Sequence, residues 1–143
     1  MDNVRNHKPG PAKQPPSPTV WHTLQAHDCV GLIDFLVNVV GFTEVMVHAD
    51  GDTVHHAQLA WPEGGGIMLG SYSEENLWSR PPGTNGAYVV TDDVDGLYDR
   101  VKKAGATTLA EPTDRDYGGR DFTLKDPEGN LWSFGTYRGE PLP

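Results

Sequence analysis

A chain of 143 residues with 36% hydrophobic and 22% charged residues suits one domain or two very small ones. Its net charge of -9 argues against a nucleic-acid phosphate binder, which needs a basic face, and weakly favours a cationic small ligand. A single cysteine, Cys29, excludes an intrachain disulfide framework. No apolar run reaches the ~20 residues of a membrane span, and the polar N-terminus does not read as a signal peptide, so a soluble cytoplasmic protein is expected.

Residues 1–18 hold five prolines (Pro9, Pro11, Pro15, Pro16, Pro18) and little that can pack, which predicts a disordered leader. Thr19 to Ala26 reads as a strand with Val20, Trp21, Leu24 and Ala26 as its apolar members. Asp28 is placed to cap a helix whose body is CVGLIDFLVNVV, with Ile33, Leu36, Val37 and Val40 on one face, and Gly41 ends it. Cys29, at the start of that helix, reads as a small core or cap residue. Strands follow over Phe42–His48, Thr53–Trp61 and Gly66–Gly70, separated by Gly51-Asp52 and Pro62-Glu63-Gly64-Gly65. Residues 19–71 thus form a first βαβββ module.

The connector at 72–83, SYSEENLWSRPPG with the preceding Ser71, reads as a loop or short turn carrying Tyr72, Trp78 and Arg80. It is either a lid over a ligand or a fastening to the body. The second module, 84–137, repeats the order. A strand covers Thr84–Thr91, and Asp92 or Asp93 caps a helix to Lys103 with Val94, Leu97, Tyr98 and Val101 on one face. Gly105 ends that helix, a short strand begins at Thr107–Leu109, and an irregular acidic turn is expected over 111–118. The closing hairpin, YGGRDFTLKDPEGNLWSFGTY, brings Phe122, Leu124, Leu131 and Phe134 together across a DPEG turn. Residues 138–143 are a tail. The distance from cap to cap and from glycine to glycine agrees to within a residue, so the fold class predicted is α+β, two repeated βαβββ modules with curved sheets.

Three runs in this order, HDCVGLIDFLVNVVGF, VTDDVDGLYDRVKKAGA and DFTLKDPEGNLWSF, together with HHAQLAWPEGGGIMLG, resemble the vicinal oxygen chelate superfamily over residues 19–137. That superfamily includes glyoxalase I, extradiol dioxygenases, fosfomycin-modifying enzymes and bleomycin-binding resistance proteins. The HHAQLAWPEGGGIMLG segment is similar to its PhnB-like or bleomycin-resistance-like subgroup. The resemblance implies two half-sheets enclosing a cavity and a homodimer. It also implies a divalent metal held near Trp21, near Met68 or Leu69, near Ala87 and near Ser133. None of these can donate an imidazole or a carboxylate, so no metal cofactor is expected. A slip to His22 would turn its side chain to the other sheet face.

His55 and His56, being adjacent on a strand, are expected on opposite faces, with His56 and Gln58 sharing one. Should a metal be present after all, His22, His48 and His56 are its candidate ligands, with Glu111 or Glu128 as further partners. One neutral histidine would alternatively suit a general base. Four tryptophans (Trp21, Trp61, Trp78, Trp132), with Tyr72 and Tyr88, point to an apolar cavity for a planar or cationic molecule. The ligand-binding set expected is Trp21, His56, Gln58, Tyr72, Trp78, Tyr88, Arg120 and Trp132, with no catalytic residue assigned. The resemblance then implies a metal-independent protein that sequesters a small aromatic or cationic antibiotic. Two alternatives stand beside it: a lyase, isomerase, transferase or dioxygenase with relocated ligands, and a structural or regulatory interaction domain.

Overall fold

Alternating apolar residues and two Asp-capped amphipathic runs build the same unit twice. In the computed structural model, which describes residues 17–143, the first unit is β1 (His22–Ala26), α1 (Cys29–Asp34) continued by a π-helical segment (Phe35–Val40), β2 (Thr43–Asp50), β3 (Thr53–Ala60) and β4 (Gly66–Ser71). The second is β5 (Gly86–Val90), α2 (Val94–Lys103), β6 (Thr107–Asp114), β7 (Arg120–Lys125) and β8 (Leu131–Gly135). Each makes a four-stranded mixed sheet, ordered β1-β4-β3-β2 and β5-β8-β7-β6, with only the first pair in each order parallel. The leader expected over 1–18 lies outside the described residues except for Ser17 and Pro18.

The caps fall where the sequence puts them. Asp28 Oδ1 accepts from the Gly31 amide and Asp93 Oδ1 from the Gly96 amide, each at 3.0 Å. Gly41 takes the left-handed conformation (φ 114°) that a helix terminus of this kind requires. Two expectations are corrected. The first helix is α-helical for only six residues before widening into the π-helical segment, with Leu36 and Val40 still buried. And β6 runs eight residues to Asp114, pairing with Arg120, so the first half of the stretch expected as an irregular turn is strand.

So short a helix is marginal alone; the second module holds it at both ends. The Glu128 carboxylate accepts from the amides of His27 (2.6 Å) and Asp28 (3.0 Å) at the start of α1. The Arg100 guanidinium donates to the carbonyls of Val39 (3.1 Å) and Val40 at the other end. An anion at the N-terminal end and a cation at the C-terminal end both complement the helix dipole. The core runs through both modules: Leu24, Ala26, Leu59 and Leu69 from the first sheet, Phe122, Leu124, Trp132 and Phe134 from the second. Phe42 packs on Trp132 and Trp61 on Phe134, and the Trp61 indole donates to the Val90 carbonyl at 2.7 Å.

The closing turn is ordered by one buried carboxylate. Asp126 accepts from the amides of Glu128 and Asn130, the Asn130 side chain and the Trp132 indole, all within 2.8–3.0 Å. Among the described residues, no helix is long and apolar enough to cross a membrane.

Candidate functional site

Because Leu24, Ala26, Leu59 and Leu69 turn to the core, their strand neighbours turn the other way. Thr23 and Gln25 of β1, Met68 and Gly70 of β4, and His56 of β3 thereby line a cavity of about 770 Å³ on the open face of the first sheet. The connector lies against it through Asn76, Leu77, Trp78 and Arg80, and Asn85 adds to the wall. The connector is fixed from below: the Arg80 amide donates to Gln25 Oε1 at 2.9 Å. It is also folded on itself, with the Trp78 amide on Asn76 Oδ1 and the Thr84 hydroxyl on the Pro81 carbonyl.

His55 is the correction at this site. The β2–β3 register shifts between His48 and Ala49, so both Val54 and Ala57 are buried and the two residues between them bulge outward. His55 and His56 therefore line the same cavity instead of facing opposite sides. His55 Nε2 lies 2.8 Å from Asp50 Oδ2, and its ring stands 5.4 Å from that of His48. His55 holds the Asp50 carboxyl below its ordinary value, chiefly through that hydrogen bond.

The other expected residues are distributed. Trp78, 71% exposed, lines the cavity with His56. Gln58 shares the open face, pairing with Met68 and Met46, outside the cavity wall. Trp21 lies over Gly66, where a Cβ would come within 2.9 Å of the indole, and is likewise outside the wall. Tyr72 sets its ring against His27. Trp132 is 1% exposed in the core, outside this cavity's wall, and borders the smaller pocket described below. Tyr88 and Arg120 belong to the second sheet: Tyr88 donates to the Tyr137 carbonyl at 2.7 Å, and Arg120 pairs with Asp95 (2.9 Å) and Asp114 (3.1 Å).

The candidate metal ligands do not form one group among the described residues. His22 follows Leu24 to the core side, edge-on to Trp132, while His48 pairs across the strands with His56. Glu128 is engaged at α1, and Glu111 sits on the exposed β6. Among the described residues, no three His, Cys, Asp or Glu side chains group closely enough to hold a metal ion. Of the positions the superfamily would use, Ser133 is hydrogen-bonded to Thr123 and Trp21 lies over Gly66.

His22 lines a second, smaller pocket of about 400 Å³ between the modules, with Phe42, Trp61, Ile67 and Trp132. Its Nε2 is buried without a partner among the described residues, and burial pushes its pKa down. Cys29 is buried too. Its thiol is pushed up to about 12, mainly by burial and then by Glu128 and Asp28, which keeps it a protonated core residue.

Sequence reasoning missed Thr23, Gln25, Asn76 and Asn85. Alternation from Leu24 and Ala26 would have found the first two; nothing local marks the asparagines.

The duplicated βαβββ topology and the open concave faces define a member of one superfamily. The chain matches the Glyoxalase/Bleomycin resistance protein/Dioxygenase superfamily over residues 9–134, and it belongs to it. Among solved structures it is similar to TioX from Micromonospora sp. ML1, with 29% identity, 82% of this chain and 98% of that one covered, and a TM-score of 0.69. It is also similar to a glyoxalase/bleomycin resistance protein from Streptomyces sp. CB03234 (25% identity, 80% and 96% covered, TM-score 0.63). TnmS3, an antibiotic binding protein from the same Streptomyces, shares the fold at 23% identity, 87% and 98% covered, TM-score 0.66. No curated protein matches the chain.

Proposed function

We propose that this protein binds a small planar organic molecule on the concave face of its first module, without a metal ion, and sequesters it. One observation carries the reading: a cavity of about 770 Å³, within the usual range for small-ligand sites, has an exposed indole, Trp78, as one wall and convergent polar groups on the sheet. An exposed aromatic of this size on a tethered loop has no packing role to explain it. TnmS3, which shares the fold, is an antibiotic binding protein, and this supports an antibiotic as the ligand class.

The working form in this reading is a homodimer. Each sheet has an open face, and all eight residues of the edge strand β2 are exposed, including Val45, Met46 and Val47. A second copy would cover these surfaces and close the cup; sedimentation equilibrium tests it, a monomer at micromolar concentration counting against the closed cup.

The test of binding is intrinsic tryptophan fluorescence titrated with a panel of aromatic and peptide antibiotics, with and without zinc, nickel, manganese or a chelator. Saturable quenching indifferent to metal supports sequestration. Binding only in the presence of metal, or none across the panel, overturns it. A second reading is favoured by His55 alone: a carboxylate-oriented imidazole at a cavity wall is the arrangement of a general base, as in a metal-independent isomerase. Turnover of a bound compound, lost in His55→Gln, would establish that reading.

A further inference from the structure

The charge around the first-module cavity is opposite in sign to that of the chain. The protein carries 20 acidic residues and a net charge of -9, yet among the described residues none that lines this cavity is Asp or Glu. Arg80, His55 and His56 do line it.

Arg80 differs from the other described arginines. Arg115 is paired with Asp121 (2.8 Å), Arg120 with Asp95 and Asp114, and Arg138 with Asp92 (2.8 Å) and Glu63 (3.4 Å). Arg100 is engaged with the carbonyls that end the first helix. Arg80 has no carboxylate partner among the described residues; its guanidinium donates to the neighbouring Ser79 carbonyl at 2.9 Å through Nη1. A guanidinium has five N–H donors, so most remain for a ligand. The position is built: the Arg80 amide is tied to Gln25 of β1, and Pro81 and Pro82 stiffen the chain that follows.

The nearby acids do not reverse this. Asp50 is hydrogen-bonded to His55, with His48 beside that ring, and Glu74 and Glu75 are exposed on the connector outside the cavity wall. A cation entering here would meet a guanidinium with no compensating carboxylate among the described residues. An anion would meet a fork-shaped donor suited to two parallel hydrogen bonds beside the Trp78 indole.

We infer that the cavity selects an aromatic ligand bearing a carboxylate or comparable oxyanion, held by Arg80 with its ring against Trp78. This rests on the binding role proposed above and fixes its ligand class. It reverses the cationic preference that the overall charge suggests, because a guanidinium at contact range outweighs distant, screened carboxylates.

The test is isothermal titration calorimetry of the full chain with three probes of one shape: naphthoate, naphthamide and naphthylmethylammonium. Naphthoate is expected to bind tightest, roughly tenfold or more above naphthamide. Arg80→Gln is expected to erase that difference, and Arg120→Gln, whose guanidinium is already paired, to keep it. Equal or tighter binding of the amide or the ammonium probe overturns the inference and leaves the binding role standing. Binding of none of the three overturns both. The parent's ranking decides even where Arg80→Gln folds poorly.

Discussion

The two modules share a topology, and their open faces sit at equivalent places on equivalent sheets, yet the polar groups on them are arranged differently. On the second face Asp121 is engaged by Arg115 and by the Tyr117 hydroxyl (3.0 Å), Thr123 and Ser133 bind each other at 2.8 Å, and Tyr88 is tied to Tyr137. The first face leaves Arg80 without a carboxylate among the described residues and sets two histidines into the cavity through one bulge. A duplicated fold thus supplies two cups, and the side chains decide which of them has hydrogen-bonding capacity left for a ligand. The tryptophans divide in the same way: Trp132 is structural and Trp78 is exposed.

That division gives the largest expected effect. Trp132→Ala removes a fully buried indole and orphans one contact of Asp126, and should lower stability by about 3–5 kcal/mol in denaturant unfolding. Trp78→Ala should stay within about 0.5 kcal/mol of the parent while losing ligand-dependent fluorescence change. Equal losses from both would erase the distinction. Next comes the clasp between modules. Glu128→Gln weakens the charge-assisted cap on α1 and should cost about 1 kcal/mol in the same assay.

A smaller effect appears with pH. Arg115, through its hydrogen bond, holds the Asp121 carboxyl below the usual carboxylate range against the opposing effect of burial, with Tyr117 helping. A carboxyl depressed in the folded state stabilises it above the unfolded pKa of about 3.9, and that stabilisation fades as pH falls through the lower folded value. Asp121→Asn should therefore flatten the acid limb of Tm against pH below about pH 4, leaving ligand affinity at the first face unchanged. Unaltered acid sensitivity would show that the second face is not held in this way. A chelator is expected to change neither stability nor affinity.

Much of this was legible in the sequence. The caps Asp28 and Asp93, the terminating Gly41 and Gly105, and the closing hairpin are local signals, and they gave the duplicated modules. The cavity was legible only in part. His56, Trp78 and Arg80 were marked by residue type, but the His55–His56 bulge depends on how β3 pairs with β2, which alternation alone does not encode. Trp132 and Trp78 look alike as letters; the Asp126 turn and the tertiary core separate them. Arg120 and Arg80 differ only in their neighbours, Asp95 lying far from Arg120 along the chain.

The account's central claim, a ligand site at the first face beside Trp78, is tested most directly by quenching. Tryptophan emission of the parent, Trp78→Phe and Trp61→Phe would be titrated with nitrobenzoate and nitrobenzamide in the presence of chelator. Saturable quenching by nitrobenzoate in the parent and in Trp61→Phe, abolished in Trp78→Phe, is the predicted result. Quenching that survives in Trp78→Phe would place the ligand elsewhere and contradict the account.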